Sequence, residues 1–163
     1  MENGEFHTVR GYQLLEPNHK NLTSAMEDYL EMIYRNSITE GYIRINILAG
    51  LLHVSAASAS RMVQRLSELG LLNYKKYGII ILSDEGKEIG EFLLERHRII
   101  ENFLFLIGCD EDLLQQTELM EHSINGNTLN KLHILNHFLS DHKEIFDRYP
   151  VNNITTSGFD KDL

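Results

Sequence analysis

The chain has 163 residues, of which 42% are hydrophobic and 24% are charged. This composition excludes a mainly disordered chain, because enough apolar surface is present to offset the entropy cost of ordering. No apolar run approaches the roughly 20 residues that span a bilayer, and the N-terminus lacks a signal-peptide core. We therefore expect a cytoplasmic protein with no membrane partner. The single cysteine, Cys109, excludes a disulfide framework and a Cys-cluster zinc site.

Charge is unevenly distributed along the sequence. The whole chain carries 15 basic and 24 acidic residues, a formal net charge of −9. Residues 44–80 nevertheless contain five basic residues and a single acid, a net charge of +4, so that the remainder carries −13. If the protein binds a polyanion, this basic stretch is where it should dock.

The first half of the chain is predicted to contain three helices and a β-hairpin. Ser24 with Glu27 three residues later is a capping-box pattern that favours a helix start. Ser55 is the expected N-cap of the third helix, which should stop at Gly70. The predicted bounds are 25–36, 47–52 and 56–69 for the helices, and 72–76 and 79–82 for the strands.

This order of elements is typical of a winged helix-turn-helix. Small side chains at the start of the third helix allow close approach to base edges, and its arginines can reach guanines or phosphates. Basic residues at the hairpin tip would contact phosphates beside the groove. The alternative is a helical packing unit in which the Ser/Ala run only permits close helix contacts. The candidate DNA-binding residues are Ser55, Ala57, Ser58, Arg61, Arg65, Lys75, Lys76 and Tyr77.

The second half is predicted to be entirely helical. Ser83 followed by two acids favours a helix start, and this long helix could extend to Ile107 before Gly108. Further helices are expected at 111–124 and 128–146. Two apolar stripes in so small a domain leave surface for a second subunit, so we expect a homodimer. The predicted domains are an N-terminal extension 1–21, a DNA-binding domain 22–88, a helical metal-binding and dimerisation domain 89–149, and a C-terminal tail 150–163.

Acidic and histidine side chains recur at spacings that place them on common helix faces. Pairs three or four residues apart meet on one face of a helix and can share a metal ion. Taken singly, each such pair is more often solvated surface or a packing residue. The residues concerned are Asp28 and Glu31 on the first helix, His97 on the long helix, and Glu118, Glu121 and His122 on the next.

Four separated segments resemble, in order and spacing, the metal-dependent repressors of the diphtheria-toxin-repressor family. The similarity is greatest to its manganese-responsive branch, the manganese transport regulators, and it covers residues 22–139. The segments are 26–34, 55–66, 96–104 and 118–122.

The resemblance implies that all six acidic and histidine residues hold two neighbouring Mn²⁺ ions in each subunit. Four carboxylates would balance the charge of two divalent ions, and oxygen and imidazole donors suit Mn²⁺ or Fe²⁺. Zn²⁺ or Co²⁺ would also bind in vitro. Iron-responsive relatives have Met and Cys at the positions of Asp28 and Glu118, which favours manganese here.

We therefore expect a metal-activated repressor that binds operator DNA as a homodimer and controls metal-uptake genes. One alternative is a metal-independent winged-helix regulator of a small organic effector, whose DNA binding would survive a chelator. Another is a dimetal carboxylate enzyme, which needs Glu-x-x-His pairs on two helices, whereas this chain has Glu118-x-x-Glu121. The protein is therefore not expected to be an enzyme.

Three further histidines stand outside the family motifs: His133, His137 and His142. The first two are four residues apart and could together hold a metal ion on one helix face. We favour surface histidines, because none of the four family motifs includes them.

Overall fold

We describe the fold from a computed structural model, in which residues 22–109, 111–142 and 144 are described. The predicted extension 1–21 and tail 150–163 lie outside this range. Within it, the mostly helical fold with an N-terminal winged helix-turn-helix is confirmed. None of the described helices is long and apolar enough to cross a membrane. The helices are α1 (Ser24–Ser37), α2 (Ile45–Leu51), α3 (Ala56–Glu68), α4 (Asp84–Leu106), α5 (Leu113–Glu121) and α6 (Gly126–Asp141), and the strands are β1 (Ile43–Arg44), β2 (Leu72–Lys75) and β3 (Ile79–Leu82).

The chain divides into two units, one ending at Arg96 and the other beginning at His97. In the first unit, α1 packs against α3 and β3, and α2 packs against α3. The core contains fully buried aliphatic side chains from each of these elements, which removes them from water. Burial also raises the pKa of the Tyr29 phenol above its usual value near 10. The fully buried residues include Leu30, Ile33, Leu48, Val63, Leu66 and Ile80.

Hydroxyl side chains cap α1 and α3 in the first unit. The backbone N–H of Met26 donates to Thr23 Oγ1 at 3.3 Å, so Thr23 caps α1 and the predicted cap at Ser24 is wrong by one residue. Thr23 has the extended backbone that an N-cap requires. The predicted cap of α3 is confirmed, since the N–H of Ser58 donates to Ser55 Oγ at 3.2 Å.

The predicted hairpin is present but belongs to a three-stranded antiparallel sheet with the order β1-β3-β2. Ile43 of β1 pairs with Ile80, and Leu72 of β2 pairs with Leu82. The sequence analysis missed β1 because two residues are too short to produce an alternating pattern. A single 3₁₀ turn, Lys76–Gly78, connects β2 to β3.

The first turns of α4 approach the rest of the first unit very closely. A Cβ atom at Gly86 would lie 1.9 Å from the Leu71 carbonyl oxygen, and one at Gly90 would lie 2.6 Å from Tyr34 Cβ. Real Cβ atoms do not come this close to other heavy atoms. Both positions therefore require glycine for packing, although glycine weakens a helix interior.

The helices of the second unit are shorter than predicted. The prediction of a helix over 111–124 is wrong at both ends, because Asp112 has a left-handed backbone and the chain leaves the helix at His122. Asn125 caps α6 by accepting from the N–H of Thr128 at 2.9 Å, so the helix begins at Gly126, two residues before the predicted start. The predicted end at Phe146 lies outside the described residues, and α6 ends at Asp141.

Candidate DNA interface and metal ligands

The start of α3 presents small polar groups to solvent. Ser55 and Ala57 are exposed, and the hydroxyls of Ser55 and Ser58 lie 3.1 Å apart. Arg61 Nη2 donates to Ser58 Oγ at 3.1 Å, so its guanidinium is held beside the N-terminal turn. Arg65 is exposed one turn further along. This exposed side of α3 has the size and charge that a helix needs to enter a major groove.

The opposite face of α3 anchors the helix in the core. Ala59, Val63 and Leu66 are fully buried, as the apolar spacing predicted. Burial of this face leaves the polar face of α3 available for a ligand. The helix thus separates a packing side from a recognition side, which is the arrangement that a helix-turn-helix uses.

The tip of the wing carries two cations and an exposed aromatic ring. Lys75 and Lys76 are exposed, and Tyr77 is 89% exposed. Tyr77 also has a positive φ of 64°, a conformation that costs a non-glycine residue about 1 kcal/mol or more. An exposed tyrosine in this conformation gains little from packing, and the two lysines beside it suit contact with a phosphate backbone.

A hydrogen bond that the sequence analysis missed connects α3 to the wing. The hydroxyls of Ser60 and Tyr74 lie 2.9 Å apart, and both side chains are partly buried. Alternation along β2 places Tyr74 on the same face as the buried Leu72, which is the signal that could have identified it. This bond fixes the wing relative to the recognition helix.

Two of the predicted metal ligands lie on α1 in the first unit. Asp28 is exposed, whereas Glu31 is 8% exposed. Glu31 forms an ion pair with Arg35, one turn along the same helix. Arg35 contacts one oxygen of this carboxylate, Oε1, and a carboxylate can bind a cationic side chain and a metal ion through different oxygens.

A second ion pair links α1 to the end of the first unit. Arg96 Nη2 donates to Glu27 Oε2 at 2.9 Å, and the Arg96 side chain is only 5% exposed. Arg96 Nε is buried with no hydrogen-bond partner among the described residues. Glu27 and Arg96 are 69 residues apart, so no local sequence pattern identifies them as partners. The pair immediately adjoins two of the predicted ligands, Asp28 and His97.

The other predicted ligands lie in the second unit. His97 Nδ1 and Glu121 Oε2 are 3.0 Å apart, and both side chains are buried. The second oxygen of the same carboxylate, Oε1, lies 3.8 Å from His122 Nε2. Glu118 is exposed one turn earlier on α5. Within this unit the structure therefore brings Glu121 next to both imidazoles.

This donor arrangement fits a divalent metal ion. Two ligands at right angles about an ion roughly 2.1 Å away are separated by about 3 Å, which is close to the separation of His97 Nδ1 and Glu121 Oε2. A carboxylate whose two oxygens face different imidazoles can also bridge two ions. Oxygen and nitrogen donors without sulfur are the ligands of Mn²⁺ and other borderline or hard ions.

The same two regions match families of known function. Residues 21–80 match the iron dependent repressor, N-terminal DNA binding domain, and residues 83–145 match the iron dependent repressor, metal binding and dimerisation domain. Together with the exposed basic face of the winged helix, these matches define a metal-dependent transcriptional regulator that binds DNA.

The chain belongs to the iron-dependent repressor family, which confirms the resemblance seen in the sequence. It is 37% identical over 127 residues to the HTH-type transcriptional regulator MntR of Oceanobacillus iheyensis, covering 77% of this chain and 86% of that protein.

Two solved structures have a similar fold. The metal-dependent transcriptional regulator MtsR aligns with a TM-score of 0.64 and 29% identity, over 72% of this chain and 55% of that one. The manganese regulator SloR aligns with a TM-score of 0.59 and 28% identity, over 71% and 53% respectively. The chain thus spans about half the length of these two proteins.

Proposed function

We propose that this protein is a transcriptional repressor whose operator binding is activated by Mn²⁺, with two ions in each subunit of a homodimer. The observation that carries the proposal is the buried Glu121 carboxylate, which faces His97 with one oxygen and His122 with the other. The description of one similar structure, the manganese regulator SloR, supports manganese as the ion. The regulated genes would be those of metal uptake.

Six side chains form the proposed ligand set. Four of them are carboxylates, whose charge of −4 would neutralise two divalent ions. Met and Cys occupy none of these positions, so the set favours Mn²⁺, with Fe²⁺ as the alternative. Zn²⁺ or Co²⁺ would bind in vitro because imidazole and carboxylate accept them readily. The proposed ligands are Asp28, Glu31, His97, Glu118, Glu121 and His122.

The proposed mechanism is a linkage between metal binding and DNA binding. Ions held jointly by ligands of α1 and ligands of the second unit would favour one arrangement of the DNA-binding domains in the dimer. A dimer must present its two recognition helices at the spacing of the operator half-sites. Selecting that spacing raises operator affinity without any new base contact. The metal acts as an effector in this mechanism, and we assign the protein no enzymatic activity.

The test measures DNA binding and metal content on the same preparation. A duplex would be selected from random-sequence DNA by the Mn²⁺-loaded protein and then titrated by fluorescence anisotropy with Mn²⁺ or with a chelator. We expect a Kd at least tenfold lower with Mn²⁺, and two Mn²⁺ per chain by elemental analysis. Equal affinity under both conditions would instead identify a metal-independent regulator.

A further inference from the structure

A pocket of about 240 Å³ lies within the second unit, between α4 and α6. It is separate from the proposed manganese ligands, none of which lines it. Among the residues that the structure describes, no carboxylate lines it. The lining residues are Arg98, Ile99, Asn102, His133, Asn136, His137 and Ser140.

Two imidazoles lie side by side in this pocket. His133 and His137 are one helical turn apart on α6, and their ring centroids are 4.6 Å apart with the rings nearly perpendicular. Histidines at this spacing project from one helix face and are a recurrent metal-ligand pair. Each neutral imidazole offers one nitrogen lone pair.

One residue that lines this pocket, Asn136, has a buried amide oxygen with no hydrogen-bond partner in the described part of the chain. Asn136 is 5% exposed, and its Nδ2 donates to the backbone carbonyl of Ile99 at 2.8 Å. This bond fixes the orientation of the amide, so Oδ1 is the end left without a hydrogen bond. Oδ1 is buried and has no partner among the described residues. An unsatisfied buried acceptor costs about 1–3 kcal/mol, so a ligand that binds it recovers that cost.

We propose that this pocket binds one late first-row transition ion, Ni²⁺, Cu²⁺ or Zn²⁺, through His133, His137 and Asn136 Oδ1. Imidazole binds these ions strongly. Mn²⁺ and Mg²⁺ prefer carboxylate and other oxygen ligands. Arg98 also lines the pocket, and because its positive charge opposes cation binding, only an ion that imidazole binds strongly should occupy the site. The protein would then hold two chemically distinct kinds of metal site, one rich in oxygen donors and one rich in nitrogen donors. This site shares no ligand with the proposed manganese site, so the two proposals can be tested independently.

The experiment counts Ni²⁺ by equilibrium dialysis of the full chain. It uses the parent, the double variant His133→Gln/His137→Gln, and the control His142→Gln. His142 lies at the end of the same helix, stacked on Phe138, and does not line the pocket. Because Ni²⁺ also enters the manganese ligand set, the quantity compared is the difference between proteins. We expect the double variant to bind one Ni²⁺ fewer per chain than both the parent and the control.

Each single variant, His133→Gln or His137→Gln, should lower the affinity for the same Ni²⁺ ion at least tenfold. The single variants keep the proposal testable if the double variant does not fold. The visible absorption of added Co²⁺ should be weaker in both single variants than in the parent and the His142→Gln control, because Co²⁺ in the manganese ligand set contributes equally to all of them. Equal Ni²⁺ counts in all folded proteins would overturn the proposal. So would binding of inorganic phosphate that depends on both histidines without any dependent Ni²⁺, because that result would identify an anion site.

Discussion

Glu121 is the side chain on which the proposed metal chemistry depends most. Its position between Glu118 and His122 on one helix face is readable from spacing alone. Its burial is not, because that depends on α5 contacting His97 of α4, a residue 24 positions earlier in the chain. Spacing and family resemblance thus identified the candidate ligands, whereas only the fold shows which carboxylate is enclosed by imidazoles.

Asp28 is predicted to control metal selectivity. Replacing it with Met exchanges a hard oxygen donor for a soft sulfur donor, which lowers the preference for Mn²⁺ relative to Fe²⁺ and Co²⁺. We expect Asp28→Met to need at least tenfold more Mn²⁺ for half-maximal DNA binding, with a smaller change for Co²⁺. Anisotropy titrations with each metal test this directly. Unchanged relative potency of the two ions would place selectivity elsewhere.

The ion pair between Glu27 and Arg96 is predicted to stabilise the first unit. Glu27→Gln leaves the buried Arg96 guanidinium without its anionic partner, and removing one member of a buried pair costs about 3 kcal/mol. Urea unfolding with chelator present measures this loss without any metal contribution. Lys87→Gln is the matched control, since its pair with Asp84 is solvent-exposed and should contribute little. Equal unfolding midpoints for both variants would contradict the structural role of the buried pair.

At the scale of the helices and strands, the sequence predicted the type of each element better than its ends. The α3 cap and its buried face follow from Ser55 and apolar spacing, and both are confirmed. Thr23 and Ser24 both carry the hydroxyl that an N-cap needs. Thr23 is the cap of α1 because it has the extended backbone conformation, which the sequence does not show. Strand β1 forms because β3 offers it an edge, a long-range pairing that no local pattern contains.

Two glycine replacements should change stability in opposite directions. Gly86→Ala places a methyl group against the Leu71 carbonyl, so we expect a loss of about 1–3 kcal/mol despite the better helix propensity of Ala. Gly50→Ala, in α2, meets nothing within 4 Å and should gain about 0.5–1 kcal/mol. Thermal unfolding of the two variants measures both effects. A stabilised Gly86→Ala protein would show that α4 does not pack this closely against Leu71.

Recognition helix and wing should affect DNA binding differently. Arg61→Ala removes a side chain that can contact base edges, and we expect about 1–3 kcal/mol weaker binding together with relaxed sequence preference. Lys76→Ala removes a phosphate contact, so it should weaken binding to all duplexes alike. It should also reduce the slope of the logarithm of affinity against the logarithm of salt concentration by about one. Anisotropy titrations on the selected and an unrelated duplex, at several salt concentrations, separate the two effects. Parent-like behaviour of both variants would remove these residues from the interface.

At the scale of the whole molecule, the excess of basic charge lies in the winged helix, whereas exposed apolar side chains occur in both units. The +4 stretch lies in the winged helix, so an acidic protein can still attract DNA to one region. Large apolar side chains are exposed on the second unit, in agreement with the dimerisation domain that its sequence matches. Helical periodicity predicted this surplus of apolar surface. The exposed residues include Phe105, Leu114, Leu119, Ile134 and Phe138.

The central claim is that metal bound through Glu121 controls DNA binding without holding the fold together. Glu121→Gln keeps the side-chain shape but removes one negative charge, leaving −3 from the proposed ligands for two divalent ions, so at least one ion should bind poorly. The change leaves every side chain of the apolar core and every exposed apolar side chain of the second unit in place. The most direct measurement is operator affinity of Glu121→Gln with Mn²⁺ and with chelator, on protein shown to be dimeric by sedimentation. We predict a folded dimer whose operator affinity is equally low with Mn²⁺ and with chelator. Full activation by Mn²⁺, or an unfolded monomer, would contradict this role of Glu121.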